Sequence, residues 1–233
     1  MERIILSWSG GKDSCMALKQ LRDDGQVEVA GLLTTITADH DRISMHGVRR
    51  ELLHAQAIAL GLPLHEVLVP AKCSNANYEA AMGAALDMLK GQGIATVAFG
   101  DLFLEDIRAY RDAKMQAVEM KTLYPVWGRD TGAFIEEFIA LGFHAVTVCI
   151  DLAKLNESFS GRLIDDAFLA ELPDGIDPCG ENGEFHTFVF DGPLFSRPIE
   201  FAIGERVSRE GFSFCDLESV AAESYAAARG GGQ

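Results

Sequence analysis

An apolar run, Ile4-Ile5-Leu6, leads into Ser9-Gly10-Gly11-Lys12-Asp13-Ser14, and behind it Ser14, Ala17, Leu18 and Leu21 recur at i, i+3, i+4 and i+7. The run reads as a strand and the recurrence as one helix face, so the six residues between them must form a tight turn. Strand, glycine turn and helix in immediate succession open a parallel α/β sheet, and the turn suits an anion. Adjacent glycines let the backbone approach closely and aim N–H groups at it. The helix contributes unpaired first-turn donors and its positive dipole end. Lys12 supplies a point charge, and the Ser9 and Ser14 hydroxyls can reach phosphate oxygens. Asp13 is the odd member, since a carboxylate beside phosphates makes sense through a bridging Mg2+ or as the helix N-cap. The spacing differs from G-x-x-x-x-G-K-[ST]. On these residues alone, a ligand-free capping turn is the competing reading.

The first half of the chain alternates strand and helix. Val27 to Ile36 is a continuous aliphatic and β-branched run, as in a strand buried on both faces. Helices are expected at 46–60, 76–90, 105–121 and 131–141, and strands at 64–69, 94–99 and 145–150, with a short segment at 123–125. That alternation predicts an α/β fold with a doubly wound parallel sheet. After Asp151 one helix, near 161–171, precedes short strand-like runs at 185–190, 199–203 and 212–217, so a smaller α+β region is expected there. The boundaries are placed at 1–127, 128–225 and a disordered tail at 226–233.

At 233 residues the chain can bury a substantial core, and 48% hydrophobic with 24% charged residues is ordinary for a soluble protein. No apolar run reaches the roughly 20 residues that span a bilayer. With its first strand so close to Met1, no leader is expected and a cytoplasmic location follows. The five cysteines are scattered without a C-x-x-C, which indicates neither a zinc site nor a disulfide framework. A net charge of −15 argues against a nucleic-acid partner.

Ligands of open parallel sheets sit beyond the carboxyl ends of the strands, and three polar clusters fall there. One runs from Thr34-Thr35 to His46. A second is Gly100-Asp101 with Glu105, Arg108 and Arg111, the two arginines being spaced to share a helix face. A triphosphate would need their charge, although a solvated helix face is an equal reading. The third is Cys179-Gly-Glu-Asn-Gly-Glu-Phe-His-Thr187, where Glu181 and Glu184 precede a strand. In a strand, Glu184 and His186 would face one side, as an acid/base or ammonium-binding pair or as plain structural residues.

The loop at 9–14 resembles the S-G-G-x-D-S pyrophosphatase-loop signature of the adenine-nucleotide alpha hydrolase-like superfamily, which cleaves ATP between its alpha and beta phosphates. Taken with His46-Gly47, Gln56-Ala57, Gly61-Leu62-Pro63, Phe99-Gly100-Asp101, Glu105-Asp106, Trp127-Gly128-Arg129 and Gly180-Glu-x-Gly-Glu-Phe-His-Thr187, it resembles the diphthine–ammonia ligase family from about residue 3 to 200. The late segment has Glu184-Phe-His-Thr187 where the eukaryotic pattern reads Glu-Tyr-Glu-Thr. The longer eukaryotic forms carry extra C-terminal domains, so the likeness is to short, bacterial-type members.

The resemblance implies an ATP-dependent ligase that adenylates a carboxylate, releases pyrophosphate and AMP, and passes the acyl group to ammonia or an amine. Ser9, Gly10, Gly11, Lys12, Asp13, Ser14, Thr34, Arg108 and Arg111 would hold ATP, and Asp13 would hold Mg2+. Catalysis would fall to Lys12, Asp13, Asp101, Glu181, Glu184 and His186. The carboxylate would be a small molecule or protein-borne, and a homo-oligomer is compatible with the reading. The alternatives are a pyrophosphatase-loop enzyme acting on RNA or a metabolite, or an ATP-binding regulatory module without turnover.

Overall fold

The computed structural model describes residues 1–44 and 46–220. In chain order the elements are β1 (Glu2–Ser7), α1 (Lys12–Asp24), β2 (Val27–Thr37), β3 (Arg42–Ile43), α2 (Arg50–Leu60), β4 (Leu64–Val69), α3 (Asn75–Gly91), β5 (Thr96–Ala98), α4 (Glu105–Ala117) and β6 (Lys121–Leu123). There follow α5 (Thr131–Ala140), β7 (His144–Asp151), a 3-10 turn (Glu157–Phe159), α6 (Asp166–Glu171), β8 (Phe185–Asp191), β9 (Phe201–Arg209) and β10 (Phe212–Ser219).

Five parallel strands lie in the order β4-β2-β1-β5-β6, and the two-residue β3 adds antiparallel to the end of β2. From β1 the chain winds outward one way through β2 and β4, then returns to the other side for β5 and β6. The alternation of strand side chains divides the core between the two faces. Ile4, Leu6 and Leu32 pack with α1 and α2, whereas Ile5, Leu33 and Val97 pack with Leu86 and Leu89 of α3 and Met115 of α4. The sheet is doubly wound, and its switch point lies between β1 and β5, where loops 9–11 and 99–104 meet.

The second sheet is antiparallel, β8-β7-β10-β9. Strand 145–150, expected to close the parallel alternation, is the middle of β7 and belongs here. Val146, Val148 and Ile150 are buried, and so are Ala145 and Cys149 on the other face, so its sequence pattern matches that of a parallel-sheet strand. Helix 46–60 starts only at Arg50, and residues 46–49 form a loop at the cleft described below. Helix 105–121 stops at Ala117, and helix 161–171 shortens to six residues capped by Asp165. Strand-like run 199–203 begins at Phe201 and reaches Arg209. The tail at 226–233 lies outside the described residues.

The two sheets are fastened by Asp216 of β10. It accepts from Arg42 Nη1 at 2.7 Å and from Arg49 Nη2 at 2.7 Å and Nε at 3.1 Å. Burial alone would raise the Asp216 pKa, but the hydrogen bonds from Arg49 and Arg42 outweigh it and hold it down to about 2. A depressed carboxylate stabilises the fold above its ordinary value of 3.8 and loses that contribution as pH falls toward 2. Asp216→Asn is expected to cost about 2 kcal/mol at pH 7. In urea titrations, the gap from wild type should narrow between pH 4 and pH 2.

Candidate active site

The turn after β1 is held by the second sheet. The Gly10 carbonyl accepts from Val189 N–H of β8 at 2.9 Å and from Gln56 Nε2 at 3.0 Å. Gln56, fully buried, also donates to the Val189 carbonyl at 2.6 Å and accepts from Trp8 Nε1 at 3.0 Å. Gly10 has φ +78°, and a Cβ there would stand 2.8 Å from Gln56 Oε1. The N-cap of α1 is Gly11, not Asp13, and it has no side-chain cap. Instead Thr187 Oγ1, 175 residues away, accepts from Lys12 N–H at 3.1 Å, satisfying one first-turn donor. Ser9 Oγ accepts from Gly11 N–H at 3.3 Å, and Ser14 Oγ donates to the Gly11 carbonyl at 2.9 Å. Gly100 closes the far side, where a Cβ would lie 2.9 Å from the Asp13 carbonyl.

Lys12 is buried, with Nζ 2.9 Å from Asp13 Oδ2 and 5.6 Å from the Phe185 ring centroid. Burial alone would lower its pKa, but Asp13, with Cys179 and Glu181 beyond, outweighs burial and raises it, so the ammonium persists. Glu181 accepts from Leu102 N–H at 3.4 Å. Burial and then the Asp13 charge push it up to about 8, so it can give or take a proton near neutrality. Cys179 is no nucleophile: its thiol donates to the Thr131 carbonyl at 3.2 Å, and burial keeps it protonated.

A cleft of about 650 Å³ opens over this turn, within the range of small-ligand sites. Ser9, Lys12, Asp13, Ser14, Thr34, Asp101, Arg111, Glu181, His46 and His186 line its polar end, and Leu33, Met82, Leu86, Val97, Phe99 and Met115 an apolar lobe between α3 and α4. The two arginines part company. Arg111 reaches the cleft, paired to Asp101 at 2.7 Å and stacked on Phe99. Arg108 instead lies over Tyr124 and Trp127 at 4.8 and 4.6 Å, beside Asp112. Glu184 is also absent from the lining. The strand begins only at Phe185, and the Glu184 carboxylate accepts from Asp177 N–H and Asn182 Nδ2 at 3.4 and 3.2 Å.

His46 and His186 meet face to face, ring centroids 4.4 Å apart and tilted 31°. Burial and then Lys12 push His186 down to about 4; burial, His186 and Lys12 hold His46 well below its ordinary value. Both rings are neutral at pH 7. Asp13 Oδ1, Thr34 Oγ1 and His46 Nδ1 are buried at the cleft without a hydrogen-bond partner, whereas Asp101 Oδ2 and Arg111 Nε, also without one, face each other as an ion pair. Among the described residues no three His, Cys, Asp or Glu side chains gather as a metal cage. One free carboxylate oxygen fits Mg2+, which binds one or two carboxylates plus substrate phosphates and water.

A doubly wound sheet with a glycine turn, a buried lysine and a cleft at its switch point defines an α/β enzyme of the nucleotide-handling kind. Residues 1–122 match the family model of the diphthamide synthase N-terminal domain, and residues 130–222 that of the diphthamide synthase C-terminal domain. The chain belongs to the diphthamide synthase family, and its class is ATP-dependent carbon–nitrogen ligase. Similar proteins include the diphthine–ammonia ligases of Danio rerio, 26% identical over 92% of each chain, and Rattus norvegicus, 25% identical over 92% of this chain and 88% of that one. The Homo sapiens ligase is 22% identical over 84% of this chain and 82% of its own. The expected contrast with longer eukaryotic forms therefore does not extend to these animal relatives. No helix among the described residues is long and apolar enough to cross a membrane.

Proposed function

We propose that the cleft binds ATP with its triphosphate on Ser9–Ser14 and joins a carboxylate to ammonia through an adenylate, as the names of the relatives suggest for the substrates diphthine and ammonia. The observation that carries this is the union of two distant segments: Thr187, which ends the late motif, and Val189 just after it hold the glycine turn, so the turn and the late motif line one cleft. Lys12 would counter charge on the phosphates as the leaving pyrophosphate gathers it, and Arg111 would add a second cation once it exchanges Asp101 for phosphate. Mg2+ would be held by Asp13 Oδ1 and would supply charge neutralisation. Glu181 stands on the acceptor side, ready to hold a proton, with His186 in the same cleft. Ser14 and Thr34 orient the nucleotide through their hydroxyls. A cytoplasmic setting goes with this reading, since it supplies ATP and keeps the five thiols reduced. We put the domain division near Trp127, in the segment between β6 and α5.

The test is product analysis. With ATP, ammonium and elongation factor 2 carrying diphthine, chromatography should show AMP and pyrophosphate in step with amide formation. ADP and phosphate instead would defeat the reading.

A further inference from the structure

His46 has no place among the groups so far given a role, yet it stands at the polar end of the cleft with an unpaired atom. Its ring comes from the loop before α2 and meets His186 from β8, so a loop of the first sheet's half and a strand of the second sheet each contribute one imidazole to the pair. The His46 ring also lies close to the backbone of Thr187, the residue whose hydroxyl holds Lys12 N–H. His46 Nδ1 is buried there without a hydrogen-bond partner. In the tautomer with its hydrogen on Nε2, Nδ1 keeps a bare lone pair.

A buried lone pair without a donor is costly. An unpaired nitrogen acceptor at this end of the cleft calls for a ligand that brings an N–H donor. The adjacent Lys12 ammonium disfavours a second cation, so the ligand is the neutral amine. Glu184 cannot serve, because it does not line the cleft and its Oε1 accepts from Asp177 and Asn182.

Building on the ligase reading above, we propose that His46 and His186 form the amine-receiving end of the cleft, with Nδ1 of His46 taking the proton. The amine nitrogen attacks the carbonyl carbon of the acyl adenylate and forms the C–N bond. The C–O bond to AMP breaks, and its electron pair leaves with the phosphate. The surplus proton on nitrogen passes to His46 Nδ1. His186 acts as a positioning residue, holding the His46 ring by stacking.

His46→Gln keeps a polar amide of similar reach but offers no base at the Nδ1 position. With diphthine-bearing elongation factor 2 as the probe, ATP–pyrophosphate exchange without amine should stay within about threefold of wild type, while ammonium-dependent AMP release falls about 100-fold or more. Hydroxylamine, already neutral near pH 7 and readier to surrender its proton, should restore most of the rate. Equal loss with both amines, or loss of exchange as well, overturns the role. Absence of exchange in the wild type counts against the ligase reading with this carboxylate, and a second measurement then decides the site. In nitrogen-15 NMR of histidine-labelled protein saturated with AMP, His46 Nδ1 should resonate as an unprotonated nitrogen and shift on adding ammonium chloride. A hydrogen on Nδ1, or indifference to ammonium, overturns the proposal.

Discussion

Lys12→Ala is expected to abolish turnover, lowering AMP release by about 1,000-fold or more, because it removes the buried cation nearest the phosphate turn. The same change should weaken the fold by more than the loss of a helix cap. Lys12 is 3% exposed and Asp13 26%, so the alanine leaves a carboxylate largely desolvated and unpaired. A cost of about 2–3 kcal/mol is expected, below that of a fully buried broken pair because Asp13 still meets some solvent. Lys12→Ala with Asp13→Asn should recover most of that stability and none of the activity. Urea denaturation and AMP release on the same preparations separate the two effects. Near-normal turnover in the single variant would return the turn to a purely structural role.

Gln56→Leu has the second largest expected effect, and its target lies outside every polar cluster of the sequence. The leucine matches the volume but leaves the Trp8 N–H unpaired in a dry interior and removes two donors from the clasp on Gly10 and Val189. Each stranded buried group costs about 1–3 kcal/mol, so a loss of about 3 kcal/mol or more is expected. Nucleotide affinity should fall as well, since the turn would no longer be held in its φ-positive shape. Gln56→Glu is the informative companion: it can still accept from Trp8 but cannot donate to either carbonyl. A melting temperature within a few degrees of wild type for both variants would show that the clasp contributes little.

What could be read from the chain is what is contiguous in it. Ser9–Ser14 carries its strand, turn and helix within a few residues, and each reinforces the others. The doubly wound sheet was legible for the same reason, through repeated apolar runs separated by amphipathic helices. Contacts across the fold were not. Gln56 sits among Leu52, Leu53, Ala57 and Leu60 on a helix that reads as core, and nothing local says that its amide must reach Gly10. His46 stood inside a polar cluster, but its partner His186 lies on another sheet. Arg108 and Arg111 have helical spacing that would permit a shared face, yet Tyr124 and Trp127, brought in after α4, hold the first arginine away. Alternation failed at Glu184 because a strand rule was applied one residue before the strand began. β7 was misassigned because a central strand covered on both faces has the same composition in either kind of sheet.

The grip of β8 on the phosphate turn has a consequence for synthesis. Translation delivers β1, the glycine turn and α1 first, and domains generally fold as units from the amino end during synthesis. The partners of Gly10 and Lys12 at Val189 and Thr187 are then still to be made. Throughout that interval the nascent chain carries every residue of the turn without the contacts that shape it. A ribosome-bound fragment is therefore expected to neither hold nor spend ATP, and the enzyme becomes competent only when its later half has emerged and docked.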